Sequence, residues 1–154
     1  MQTINQLSDA LRETAYAIHL YHGHGHLEKV YENALAHRLR KLGLNVKQQH
    51  PLNVYDEDGT LIGEYFADLV VDDRLIIELK AVREIADEHV AQILGYLKSS
   101  RIEHGLLINF GSAKFQIKKY ILNDQRSAGA PQKVLKNLTS LLWFGLTNLL
   151  FFRG

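Results

Sequence analysis

The chain has 154 residues, 46% of them hydrophobic and 23% charged, an ordinary globular composition that fits one domain with a full apolar core. It contains no cysteine, which excludes a disulfide framework and any thiolate metal site. Its net charge of +1 argues against a nonspecific polycationic coat for nucleic acid.

The N-terminal stretch is amphipathic and has no basic region followed by an apolar run, so no secretory signal is expected and the expected compartment is the cytoplasm. Thr3 and Gln6 have capping-box spacing, and the helix they start should run to about His22 with Leu7, Leu11, Ala15 and Ile18 on one face. Gly23 and Gly25 break it. A second helix is expected over residues 27–42, with Leu27, Val30, Tyr31, Ala34, Leu35, Leu39 and Leu42 at helical spacing and Gly43 as its C-cap.

Residues 46–55 read as a strand interrupted or edged by Pro51, and residues 56–59 (DEDG) as a hairpin loop. Residues 61–71 and 75–82 complete a meander. Residues 87–101 form a third helix, and residues 105–109 (GLLIN) a buried strand. Residues 114–122 fit an edge strand or a short helix equally well. Residues 123–131 have a linker's composition. Residues 132–154 read as a last helix whose apolar run, from Leu138, is about 15 residues long and short of the roughly 20 that span a bilayer. It should pack on the domain or join a homo-oligomer; contact with a membrane surface is the lesser alternative. The domain proper is then residues 1–122, an α/β fold with a mixed sheet of about four strands flanked by helices.

Residues 64–81 (EYFADLVVDDRLIIELKA) hold an electrostatic anomaly: Asp68 in one apolar strand, Glu78 and Lys80 in the next. Buried charges are costly unless they are paired or bind a cation. Alternation puts Glu78 and Lys80 on one face, and Asp68 on a face with Phe66 and Val70. A three-residue loop at 72–74 pairs Val71 with Leu75 and sets Asp68 opposite Glu78; a two-residue loop would separate them. Two carboxylates that close repel unless a cation lies between them. Hard carboxylate oxygens suit Mg²⁺ or Mn²⁺, which can polarise a phosphodiester and activate water, with Lys80 placed to position or deprotonate that water. The bland alternative is a cross-strand salt bridge, against which stands the apolar setting of Ile76, Ile77, Leu79 and Ala81.

Asp68 followed by Glu78-x-Lys80 resembles the core of the PD-(D/E)xK nucleases. With Gly25-x-x-Glu28-x-x-Tyr31, ENAL, EYFADLVV, IIELKAV and GLLINFG, residues 8–122 resemble the GxxExxY family of that superfamily. The resemblance implies a restriction-endonuclease-like core and a metal-dependent nuclease acting on DNA or RNA, with DNA the expected partner. It implies that Asp68 and Glu78 bind the metal, with Glu28 joining directly or through water and Leu79 offering its backbone carbonyl. It implies that Lys80 orients the nucleophilic water, that Gln92 supports the site, and that Tyr96 packs or touches substrate. The proline that usually precedes the aspartate is replaced by Ala67. Each residue has a plainer reading: Glu28 as a first-turn helix acid, and Tyr31 and Tyr96 as core. A nuclease fold kept only for nucleic-acid binding or assembly is the alternative function. His19, His22, His24 and His26 crowd one loop in no recognisable ligand spacing, and His89 lies one turn from Gln92.

Overall fold

A computed structural model describes residues 1–123, which form one compact unit, Met1–Asn123. The expected linker and the expected C-terminal apolar helix, with its role in oligomers, lie outside the described residues. Among the described residues no helix is long and apolar enough to cross a membrane.

Helix α1 (Ile4–His22) starts at the expected capping box: the Gln6 amide donates to Thr3 Oγ1 at 3.2 Å, and the Thr3 amide to Gln6 Oε1 at 2.8 Å. Leu7, Leu11, Ala15 and Ile18 are its buried stripe. Helix α2 (Glu28–Lys41) buries Tyr31, Leu35, Ala36 and Leu39. Leu27, Val30 and Leu42, assigned to the same stripe from their spacing, are exposed instead, and the acid Glu32 is buried. Leu27 and Leu42 fall just outside the helix, as its N-cap and C-cap, and Val30 lies on its solvent side.

Strands β1 (Val46–Tyr55), β2 (Leu61–Val71) and β3 (Leu75–Lys80) form the expected meander. Helix α3 (Asp87–Ser100) crosses over to β4 (His104–Asn109), which runs parallel to β3. The ambiguous segment becomes β5 (Gln116–Ile121), antiparallel to β4. The sheet thus has five strands rather than about four, in the order β1-β2-β3-β4-β5. Pro51 sits inside an uninterrupted β1, which is tolerated because β1 is an edge strand and has no second partner for the missing N–H.

Two cores flank the sheet. On the α1/α2 side, Leu69, Val71, Leu75, Ile77, Leu79, Leu106, Ile108 and Phe110 meet the helical stripes, and Tyr31 stacks on Phe110 with ring centroids 4.6 Å apart. On the other side Leu52, Ala67, Val70 and Ile76 meet Tyr96 and Leu97 of α3. Ala67 and Val70 belong to one cluster while Phe66 is 49% exposed. Simple alternation, which grouped Phe66 with Val70, therefore fails across Asp68. Beyond Leu69, β2 pairs with β1 alone, and this hairpin arm exposes Tyr55, Leu61, Ile62, Tyr65 and Phe66.

The chain leaving β3 is locked by Asn109, which is fully buried. Its Nδ2 donates to the Val82 carbonyl at 2.9 Å and to Gln116 Oε1 at 2.9 Å; its Oδ1 accepts from the Val82 amide at 3.1 Å and the Gly111 amide at 3.0 Å. Gly111 lies so close to Ala81 and Val82 that a Cβ there would overlap their backbone. Gly111→Ala should therefore destabilise the protein by about 1–3 kcal/mol, the usual range for overpacking against unyielding atoms. Urea unfolding of the two proteins side by side measures this, and an unshifted midpoint would show that the close approach is not tight.

Candidate active site

The β2–β3 ladder pairs Val71 with Leu75, Val70 with Ile76 and Leu69 with Ile77, and there it stops. The loop at 72–74 has the three residues expected, with Asp72 and Asp73 at φ 50° and 54°. Where the next ladder bond would form, the Asp68 side chain takes over: the Leu79 amide donates to its Oδ2 at 2.7 Å. The strands part at this point, and the carboxylate satisfies an N–H that would otherwise be buried without a partner.

Glu78 is next in that register. It is only 2% exposed. The Lys80 ammonium donates to its Oε1 at 3.1 Å, so the two share a face as expected. Its Oε2 is buried and has no partner. Burial, then the neighbouring charge of Asp68, pushes the Glu78 carboxyl up to about 8, against the pull of Lys80. Asp68 is also raised by burial, opposed by the Leu79 amide and by the Gln49 side chain.

Glu28 opens α2 and is half-buried. Burial raises its pKa, Lys80 opposes this, and the charge of Asp68 adds to it. Three elements therefore direct acids toward Lys80. Gln92 Nε2 donates to the Tyr96 hydroxyl at 2.7 Å rather than to a carboxylate. That hydroxyl's pKa is raised by burial and then by the charge of Glu78, which places the phenol in the field of the acids. The Tyr65 ring lies 5.4 Å from the Tyr96 ring. Leu79 is buried in the core on the α1/α2 side and gives its N–H to Asp68.

Tyr31 holds the loop that leads to Glu28. The Tyr31 hydroxyl donates to the Gly23 carbonyl at 2.7 Å and accepts from the His26 amide at 3.2 Å, tying down the loop that enters α2. Tyr31 is thus core and loop clamp together. The histidines do other work. His19 Nε2 donates to the Ser112 carbonyl at 2.9 Å, and the His22 and His26 rings meet edge-on at 5.8 Å. His89 Nδ1 accepts from the Ala86 amide at 3.0 Å and caps α3 rather than facing the site.

Among the described residues no group of three or more His, Asp or Glu side chains is arranged to hold a metal ion. Asp68 and Glu78 instead form a pair, with an unpartnered buried oxygen on Glu78. One or two carboxylates, with waters and substrate phosphates completing the shell, is the usual way a protein holds Mg²⁺. The donor set fits such an ion.

Sequence reasoning missed three residues here. Glu32, 3% exposed, accepts from Lys29 Nζ at 2.7 Å, from Gln48 Nε2 at 3.0 Å and from Gln49 Nε2 at 3.0 Å. Gln49 Nε2 also donates to Asp68 Oδ1 at 3.2 Å. A signal existed for Glu32, which falls one helical turn after Glu28 on the same face of α2. None existed for Gln48 and Gln49 beyond an amide pair in a strand.

Residues 5–120 match the PD-(D/E)XK nuclease superfamily. Among solved structures, the crystal structure of SSO0001 is similar, with a TM-score of 0.51 at 17% sequence identity over 62% of this chain and 52% of that one. The match spans about half of that protein's length, and the likeness is one of fold. A search of curated proteins finds no match.

The raised Glu78 pKa fixes a pH dependence. Between the ordinary value of 4.5 and about 8 the folded protein holds a proton that the unfolded chain has lost. Metal-free stability therefore falls as pH rises through that window and levels off above it. The drop should be on the order of a few kcal/mol, at about 1.4 kcal/mol per pH unit. Glu78→Gln cannot ionise and should remove most of the slope, leaving the variant more stable than wild type at pH 8.5. Denaturant melts at pH 5.5, 7 and 8.5 test this; equal slopes in the two proteins would refute it.

Proposed function

Because the chain belongs to the PD-(D/E)XK nuclease superfamily, we propose that it is a metal-dependent nuclease that hydrolyses phosphodiester bonds of DNA, or of RNA, by water. Within the superfamily we assign it to the GxxExxY branch, on Gly25, Glu28 and Tyr31. The observation that carries the reading is the buried Glu78 carboxylate, with one oxygen on Lys80 and the other unpartnered, beside Asp68 at the point where β2 and β3 part.

Asp68 and Glu78, with the Leu79 carbonyl, would hold Mg²⁺ or Mn²⁺, and Glu28 would join through water; the ion when bound supplies Lewis-acid polarisation and lowers the pKa of water. The chain's own residues do the rest. Asp68 is fixed through both oxygens, by the Leu79 amide and the Gln49 amide, so its orientation is set before any ligand arrives. Glu78, raised to about 8, holds a proton at neutral pH in the absence of a cation and would have to release it to bind one. Lys80, anchored on Glu78 Oε1, orients the attacking water. Gln92 acts through Tyr96: its amide holds the phenol, whose hydroxyl faces the acids and contacts substrate. Tyr65 backs the Tyr96 ring.

Purified protein with Mg²⁺ or Mn²⁺ should cleave single- or double-stranded DNA or RNA, and EDTA should abolish cleavage. Lys80→Ala and Asp68→Ala, checked for native fold by near-UV circular dichroism, should each lose roughly 10²-fold or more, the scale of a positioned proton-transfer or water-orienting group. Cleavage unchanged in both variants would defeat the mechanism. Metal and nucleic-acid binding without cleavage would leave a silent binding module instead.

A further inference from the structure

Gln49 sits in the middle of β1 with φ 48°, a left-handed conformation uncommon for a residue other than glycine, asparagine or aspartate. It is not an inserted residue. The register is the same on both sides, with Gln48 opposite Leu69 and His50 opposite Ala67. The left-handed turn redirects a side chain. Neighbours on a strand normally point to opposite faces, yet Gln48 and Gln49 both reach Glu32 of α2, at 3.0 Å each and on different oxygens. From there the Gln49 amide also reaches Asp68 Oδ1 at 3.2 Å. Glu32 is in turn held by Lys29 at 2.7 Å. Strained backbone at a position of this kind persists where surrounding contacts over-determine it, and it gathers at functional sites.

We infer that Gln49 is a positioning residue for the cation site: its amide, aimed by the left-handed turn and anchored on buried Glu32, fixes the Asp68 carboxylate in its cation-binding orientation. This rests on the reading of Asp68 as a cation ligand. Glu32 acts as the anchor: one of its oxygens accepts from Lys29 and Gln48, and the other from Gln49. Partners that orient a metal ligand through hydrogen bonds typically change metal affinity 10–100-fold when removed.

Two variants separate positioning from mere folding. Gln49→Gly accepts the positive φ without strain and deletes the amide. Gln49→Asn also tolerates the left-handed region, and its amide is one methylene too short to bridge Glu32 and Asp68. Mn²⁺ affinity measured by isothermal titration calorimetry, without substrate, is the readout, with urea midpoint and near-UV circular dichroism as the fold controls. Both variants should keep the native spectrum and a midpoint near that of wild type, and bind Mn²⁺ about tenfold or more weakly. The double variant Gln49→Gly with Asp68→Ala should bind no more weakly than Asp68→Ala alone. If a folded Gln49 variant binds Mn²⁺ like wild type while Asp68→Ala does not, the positioning role is overturned and the cation site stands. If affinity falls only in step with loss of the native fold, Gln49 is structural and the inference is again overturned. If Asp68→Ala itself binds Mn²⁺ normally, the cation reading fails first and takes this inference with it.

Discussion

The bond from the Leu79 amide to Asp68 Oδ2 is the constraint on which the site depends. A sheet cannot part in its buried middle without stranding backbone donors, and each stranded donor costs roughly 1–3 kcal/mol. Asp68 removes that cost by standing in for the missing carbonyl of the partner strand. Because it does, the β2–β3 ladder can end at Leu69 and Ile77, just before Glu78 and Lys80 on β3. The carboxylate proposed as a cation ligand is the same group that satisfies the backbone where the ladder ends.

Around that opening the charges are arranged with little margin. Asp68, Glu78 and Glu28 come from β2, β3 and α2, and burial raises the pKa of each. Lys80 is a cation within reach of them, and it leaves Glu78 Oε2 unpartnered. Close packing below holds the geometry. Tyr31 stacks on Phe110 beside the entry to α2, and Asn109 with Gly111 holds the exit from β3.

Much of this was legible in the sequence, for physical reasons. Strand bounds followed from apolar alternation cut by DEDG and DDR, and the three-residue loop with its Val71–Leu75 register followed from the requirement that two costly acids share an environment. What stayed hidden depended on tertiary partners. Nothing in the identity of a glutamine announces φ 48°, because side-chain bonds to Glu32 and Asp68 impose it from outside. The face switch around Asp68, which buries Ala67 and exposes Phe66, defeats any period-2 reading. Segment 114–122 became a strand because β4 offered a free edge, a fact about the neighbour rather than about the segment. Exposed Leu27, Val30 and Leu42 show the converse: helical spacing reports which residues can share a face, and not how wide a face the fold covers.

The Asp68 carboxylate also carries a donor–acceptor parity. Both of its oxygens accept, one from the Leu79 amide and one from the Gln49 amide. An asparagine at this position would have nearly the same shape but only one acceptor. If its oxygen faced Leu79, its NH₂ would face the NH₂ of Gln49, and Gln49 could not flip without turning its own oxygen toward Glu32. The mismatch would pass along the chain of amides and acids with no member free to absorb it. Position 68 thus demands two acceptor oxygens on hydrogen-bonding grounds alone, so an isosteric change there perturbs the architecture whatever the residue's chemical role.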